Sequence, residues 1–585
     1  MRKYGTAENK KNRYCTICLL SLFQVALAQW SNDPHVNTRA TNGGILPQII
    51  DDGSGGAYIV YQDSPALLRQ LWVQRMDRYG RVRFPPSGIR VSSNDRNQTP
   101  YYFLASTSDG DVIVVFEDFR QFGNQTSGAV YAQRIDSTGT KLWGDAGVEI
   151  SSSTHGKSPV SACSDGVDGC LVFWGAEKAN YGSTFELWGQ RVSAEGELMW
   201  TGKDILITAE FASFNVAIPN PAVSDGQGGA IILYSDSAGM KLQRINAYGN
   251  FLWKDKGVEI FPVGRQMISD GMGGAIIAGI RFVLDNTGYH FAVGTQRVDS
   301  NGHALWGNHG VTVTERADDQ TQAVEMAIDS NGDLVLIWSD RRNGKPNIFA
   351  QKVSSKGISQ WEPNGKLVSV YDSEKNIFRT GVASLPPSGI IIVWTDRRIG
   401  EDGLFFTDGL FGQRLDENGN RLWGAEDIAI STKNVRHNTH KTLSDYAGGA
   451  IICWSENDPN LGWAIFAQQV SRDGKLGEVL TTSVSSWTDN KTQREYILHP
   501  GYPNPFNSEM VIRYELPENT YARLSIFDLS GKEVIALVKA EQSHGMHKVI
   551  WNGKNQGGRE VISGIYLYQL RAGHFVKTRK ALFIK

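Results

Sequence analysis

The stretch Ser224-Asp225-Gly226-Gln227-Gly228-Gly229-Ala230-Ile231-Ile232-Leu233-Tyr234-Ser235-Asp236, continued by Leu242-Gln243-Arg244-Ile245, Phe251-Leu252-Trp253 and Val258-Glu259-Ile260, decides the fold. Its apolar runs are short, rich in β-branched and aromatic residues, and bounded by Gly, Asp and Asn. Such runs read as strands joined by tight turns. With Pro221-Ala222-Val223 in front, and with Phe251-Leu252-Trp253 and Val258-Glu259-Ile260 taken together as one bulged strand, the segment holds four of them. The pattern recurs: its central Gln falls at Gln74, Gln133, Gln190, Gln243, Gln296, Gln351, Gln413 and Gln468, with spacings of 59, 57, 53, 53, 55, 62 and 55 residues. Four strands per repeat predict propeller blades. A β-helix uses much shorter repeats, and a separate sandwich needs about seven strands. The expected fold class is all-β: an eight-bladed β-propeller of four-stranded blades over 29–480, a linker over 481–500, and a small β-sandwich over 501–585.

The ends of the array carry a closure signal. The eighth copy runs out after Gln468-Gln469-Val470 without its Leu-Trp-Gly segment. Near the start, Gln29-Trp30 followed by Val36-Asn37-Thr38 resembles Leu142-Trp143 followed by Val148-Glu149-Ile150. The early segment is therefore expected to supply the outer strand of the last blade and leave no open sheet edge; Glu478-Val479-Leu480 compete for the slot. The turns also divide into two sets. First-to-second and third-to-fourth connections are short and uniform. Second-to-third connections vary, from 7 positions between Asp236 and Gln243 to 17 between Asp396 and Gln413. Variable loops on a fixed scaffold mark the expected working face.

Composition narrows the function. Lys and Arg number 59 against 61 Asp and Glu, a net charge of −2, which argues against a nucleic-acid binder that neutralises phosphates. A hydrophobic fraction of 41% builds cores and argues against bulk disorder. Lys10, Lys11 and Arg13, the apolar run Tyr14 to Leu27, and Ala26-Leu27-Ala28 before Gln29 read as a secretory signal over 1–28. The Sec translocon and signal peptidase are the partners this implies. The run is shorter than the roughly 20 residues that span a bilayer, and no other transmembrane candidate follows. Cys163 and Cys170 flank a turn, so a cross-strand disulfide is one reading and two independent strand residues the other.

A carboxylate recurs where the second strand of a copy ends: Asp63, Asp118, Asp236, Asp340, Asp396 and Glu456. Arginines follow in some copies, among them Arg341 and Arg397, and the fifth copy places Arg281 at the acidic position. One reading is a ring of charges at the channel mouth, able to hold a sugar or a cation. The other is structural and pairs each acid with the arginine after the repeated Gln: Arg75, Arg134, Arg191, Arg244, Arg297 and Arg414. The seventh copy has the longest insertion, Gly400 to Gly409, with Glu401 and Asp402. Trp463 falls between the second and third strands of copy eight, outside the aromatic register, and is expected in an exposed loop. The regular aromatics belong to inter-blade cores. Neither Gly-x-Ser-x-Gly nor His-Glu-x-x-His is present. Asp329-Ser-Asn-Gly-Asp333 has calcium-like residues without the distant Glu of an EF-hand; no cofactor is expected, with a structural Ca2+ left open. An enzyme needs non-repeating acid and base groups converging on one cleft. The repeated set favours a binding protein for an extracellular glycan or protein; a polysaccharide hydrolase or lyase, and a surface adhesion component, are the alternatives.

The C-terminal region carries Tyr502-Pro503-Asn504-Pro505-Phe506-Asn507, then Phe527-Asp528-Leu529-Ser530-Gly531, Trp551-Asn552-Gly553, Ser563-Gly564-Ile565-Tyr566 and the closing Lys585. Together these resemble the C-terminal sorting domain of type IX secretion cargo and the related immunoglobulin-like domain of flagellar hook-capping proteins. Ser508 stands where the family often has Pro. The resemblance implies an Ig-like sandwich, Sec export, the type IX outer-membrane translocon as partner, and release or attachment at the cell surface. It implies nothing about the ligand of the preceding repeats.

Overall fold

The computed structural model describes residues 30–477 and 497–584, apart from short segments, chiefly 64–68, 94–97, 120–127, 152–156, 178–184, 201–203, 212–220, 261–265, 318–321, 371–379, 385–388, 400–405, 433–439 and 459–461. The signal segment 1–28, Glu478-Val479-Leu480, most of the linker, Tyr502, Pro503, Pro505 and Lys585 lie outside the described residues. Every helix or strand element among those described is a β-strand. Between 38 and 470 these strands form eight four-stranded antiparallel sheets. Sheet one contains Ile45–Asp51, Ala57–Gln62, Leu71–Met76 and Ile89–Arg90. Sheets two to seven follow over 98–149, 157–211, 222–259, 266–317, 322–367 and 380–431.

The repeated sequence explains each sheet. In sheet four, Asp225 Oδ1 accepts from the amides of Gln227 and Gly229, both at 2.8 Å, which shapes the first turn. Gly226 and Gly228 have φ of 72° and 84°, and a Cβ on Gly229 would lie 2.1 Å from the Ile245 carbonyl oxygen; this is what the Asp-Gly-x-Gly-Gly pattern encodes. Gln243 ties the third strand to the outer segment, accepting from the Arg244 and Trp253 amides and donating to the Lys254 carbonyl at 2.8 Å. Trp253 Nε1 and Arg244 Nη1 then both donate to the Ser300 carbonyl of the next sheet, at 3.0 and 2.9 Å. In sheets two, three, four and seven one Gln, one Arg and one Trp staple the sheet to its neighbour in this way.

The ring closes through the chain start. Sheet eight contains Lys441–Ser444, Ala450–Asp458 and Gly462–Val470, and takes Thr38–Arg39 as its outer strand, Thr38 opposite Ala467 and Arg39 opposite Phe466. Trp30 Nε1 donates to the Arg78 carbonyl of sheet one at 2.9 Å, as Trp143 does to Ala194 of sheet three. The innermost strands touch in sequence, and Ile45–Asp51 touches Lys441–Ser444, so these contacts return to their start. Each pair of adjacent sheets encloses an apolar core. The one at the seam joins Trp30, Ala57 and Ile59 to Ile451 and Cys453. The passenger is a propeller.

Cys163 and Cys170 are free and buried. Cys163 faces Leu171 across the hairpin while Cys170 faces Ser164. This one-residue offset turns the two thiols to opposite faces: Cys170 packs between sheets two and three, Cys163 between three and four. The disulfide reading is therefore excluded by register.

The C-terminal unit has a three-stranded sheet of Ile497–Leu498, Met510–Leu516 and Gly545–Trp551. A four-stranded sheet of Glu533–Gln542, Thr520–Phe527, Gly564–Ala572 and Phe575–Phe583 packs against it over one core. The Tyr-Pro-Asn-Pro-Phe-Asn motif has a structural task here. Asn504 donates to the Lys580 carbonyl and accepts from the Leu582 amide, at 2.9 and 2.7 Å. Phe506 packs its ring on Trp551 and Phe583, with centroids 5.2 and 5.0 Å away. The strand Ile497–Leu498 lies within the segment expected to be linker.

Candidate ligand-binding face

Because the strands alternate in direction, all second-to-third connections and all sheet-to-sheet connections leave the ring on one side. The short Asp-Gly turns leave on the other. On the variable side three hairpins are long: Ala275–Asp285 with Gly288–Val298 in sheet five, Ile390–Ile399 with Phe406–Leu415 in sheet seven, and Ala450–Asp458 with Gly462–Val470 in sheet eight. Their strands run 9 to 11 residues, against 6 in sheet one. Several sequence-based expectations change as a result. Arg281 lies inside a strand, opposite Ala292, and donates to the His309 carbonyl and Thr312 Oγ1. Part of the Gly400–Gly409 insertion is a continuation of the third strand; Glu401 and Asp402 fall outside the described residues. Arg397 sits in the strand opposite Asp408, and its side chain is outside the described set. Trp463 is in a strand opposite Asn457, half-buried, not in a loop.

The structural pairing expected for the repeated acids is also corrected. In five sheets the arginine after the Gln reaches the Asp of the first turn, on the opposite side of the ring. Arg75 Nε lies 3.0 Å from Asp52, Arg134 Nε 2.9 Å from Asp111, Arg191 Nε 3.0 Å from Asp165, Arg244 Nε 3.0 Å from Asp225, and Arg297 Nη2 3.0 Å from Asp270. Antiparallel register is the reason: in sheet four Arg244 pairs with Ile231, next to the turn, while Asp236 pairs with Gly239 at the far end. Lys352 takes the arginine's place in sheet six, with Nζ 2.7 Å from Asp329 and 3.3 Å from Asp333. The calcium-like turn thus holds the chain's own ammonium, and although burial opposes the charge, these carboxylates raise the lysine's pKa. The corresponding stretch of sequence in copy seven, 385–389, has no acid, and burial with nearby Arg472 lowers the pKa of Arg414.

The strand-two acids use partners on their own side. Asp340 is 1% exposed and accepts from Trp338 Nε1 at 2.9 Å and from Arg342, whose Cζ lies 4.0 Å from the centre of the Phe349 ring. Asp396 accepts from Arg398 Nε at 2.8 Å; Arg398 Nη2 also donates to Asp427, which takes both terminal nitrogens of Arg421 at 3.1 Å. Glu456 accepts from Asn37 Nδ2 at 2.9 Å and Trp454 Nε1 at 3.3 Å. Asp236 meets Lys241 at 2.5 Å. Asp63 accepts from the Gln70 amide at 2.7 Å and Trp72 Nε1 at 3.4 Å. Asp118 is fully buried at its strand end. The acids stand one per sheet, and donors from the chain itself occupy Asp63, Asp236, Asp340, Asp396 and Glu456. In the two Arg-Arg pairs it is the second arginine, two residues past the acid, that folds back: Arg398 within its strand, on the face of Asp396, and Arg342 from the turn that follows Asp340; Arg341 is half-buried.

Sequence reasoning missed an arc of apolar side chains on three consecutive sheets. The innermost strands of sheets one and two each carry a bulge at the variable end, between Ile45 and Gln48 and between Gln98 and Tyr102. Bulges re-aim side chains and recur beside binding sites. Leu46, at φ 54°, is 37% exposed and Tyr101 is 62% exposed. The Tyr102 hydroxyl lies within hydrogen-bond reach of the Leu46 and Val60 carbonyls and shares its single proton between them, which ties the bulged strand of sheet two to that of sheet one. Trp463 continues the arc on sheet eight. The available signal was proline: Pro47, Pro100 and Pro159 each lie inside a first strand, where the missing N–H favours an edge or a bulge. Among the described residues, no cluster of three or more His, Cys, Asp or Glu side chains is placed to hold a metal ion.

Residues 501–585 match the family described as the secretion system C-terminal sorting domain. The chain is a cargo of the type IX secretion system, exported to the cell surface or the extracellular space. No helix among the described residues is long and apolar enough to cross a membrane. No curated protein matches the chain. Solved structures that resemble it do so distantly. A protein of unknown function from Dyadobacter fermentans shares 11% identity at a TM-score of 0.32, over 63% of this chain and 93% of its own. Polysaccharide lyase Uly1 shares 10% at 0.33, over 76% and 91%. An α-L-arabinanase of Penicillium chrysogenum, complexed with arabinobiose, shares 10% at 0.26, over 66% and 90%.

Proposed function

We propose that the exported ring binds an extracellular glycan across its variable-loop face, on the arc from Trp463 through Leu46 to Tyr101. The observation that carries this reading is Tyr101: a largely exposed ring on the strand bulge that its neighbour Tyr102 ties to sheet one. Binding sites combine such apolar surfaces with a few positioned polar groups, and the Asp396–Arg398–Asp427 and Asp340–Arg342 networks on the same side supply a rigid polar surround. The repeated acids are committed to internal donors, which suits holding a ligand more than proton transfer.

The test is a polysaccharide panel offered to residues 29–480, scored for both retention and product. A retained polymer should bind about tenfold more weakly to Tyr101→Ala and Trp463→Ala, with the melting temperature unchanged. New reducing or unsaturated ends would convert the reading to a hydrolase or lyase. Retention of no glycan would point to a protein ligand instead.

A further inference from the structure

The outward face of the three-stranded sheet in the sorting unit contains a local conflict. Met510–Leu516 pairs with Gly545–Trp551 so that Arg513 stands directly opposite Lys548. Two cations in that relation repel each other and weaken an isolated sheet. Both instead meet the ring. Lys548 Nζ lies 2.8 Å from Asp109 Oδ1, 3.1 Å from Ser108 Oγ and 3.5 Å from Asp168 Oδ2. Ser108 and Asp109 belong to the first turn of sheet two, Asp168 to that of sheet three. The Ser108 amide donates to Asp168 Oδ1 at 2.6 Å, and Arg134 approaches Asp109 to 3.5 Å from the ring side, so two neighbouring turns form one seat. The Arg513 guanidinium fills the adjoining turn of sheet one: a Cβ on Gly53 would fall 2.4 Å from its Nη1. Beside it, Tyr446 of sheet eight donates to Asp51 at 2.7 Å, and burial pushes the Asp51 carboxyl up to about 6 despite that bond.

We propose that the short-turn side of the ring is the docking seat of the chain's own sorting unit, gripped through Arg513 and Lys548 on the turns of sheets one to three. The full chain is then one two-part body whose variable-loop face stays uncovered, and removal of the sorting unit takes the Lys548 ammonium away from Asp109 and Asp168. Exposed ion pairs are individually weak. Here the linker keeps the two surfaces at a high local concentration, so weak contacts suffice.

Carbodiimide cross-linking of the full-length protein at low concentration, read by peptide mass spectrometry, should join Lys548 to Asp109 or Asp168. The yield should fall severalfold at about 1 M salt, where surface charges are screened. Arg513→Glu with Lys548→Glu should abolish the link and raise the radius of gyration. Adding Asp109→Lys to Lys548→Glu should restore a link between the same two positions. Thermal melts of both units verify folding in each variant, since the substitutions lie on outward faces. A wild-type chain without the link, or a radius of gyration unchanged by double charge reversal, would overturn the proposal.

Discussion

Arg191 places a guanidinium between Asp165, whose side chain is 1% exposed, and the Ala247 carbonyl of the next sheet. Removing one partner of such a pair leaves the other charge buried and unanswered. Arg191→Met should therefore cost about 3 kcal/mol, towards the lower end for buried pairs because the arginine keeps some solvent contact. Denaturant unfolding measures this, and the double variant Arg191→Met/Asp165→Asn should recover much of the loss. A change within experimental error in the single variant would show that the repeated arginine is ornamental to the ring. The recurrence of this arginine is plain in the sequence, but its partner is not. Both candidate acids lie in the same repeat, one at each end of the second strand, and only the antiparallel register decides which end the third-strand arginine reaches.

At the scale of elements, the seam depends on a segment far from its partner in sequence. Trp30 fills the seam core and bonds to sheet one, while Thr38–Arg39 complete sheet eight. Trp30→Ala should destabilise the ring by about 3–5 kcal/mol, the usual range for a large aromatic deleted from a core, and scanning calorimetry would show it; an unchanged transition would mean the seam is not part of the cooperative unit. Sheet three makes a second prediction. Its two thiols face opposite cores and burial raises both pKa values, so alkylation without reductant should label Cys163, Cys170 and Cys453 only after unfolding. Recovering fewer than three labelled sites among them would contradict the register. In sequence, the long hairpins of sheets five, seven and eight look like loops or strand ends. Pairing can extend two strands past a repeat boundary without any change in composition, which is why Trp463 and Arg281 belong to strands.

For the whole molecule, the export address and the candidate ligand face lie in different parts of the chain. Residues 501–585 address the chain, and the ring carries the candidate ligand face. Deleting 501–585 should leave the ring folded and trap it in the periplasm, checked by cell fractionation and a thermal melt of the recovered protein. Normal appearance of the truncated chain outside the cell would refute the role of the sorting unit.

The repeat, its four strands, the turn glycines, the closing Trp30 segment and the sorting motif are all legible in the sequence, because each depends on local backbone preference or on periodicity along the chain. The arginine partners, the opposed cysteines, the bulges that turn Leu46 and Tyr101 outward, and the Arg513–Lys548 pair facing the ring were decided only by tertiary structure. Each of these depends on which residue stands across from which, in another strand or another unit, and no one-dimensional pattern records that neighbour.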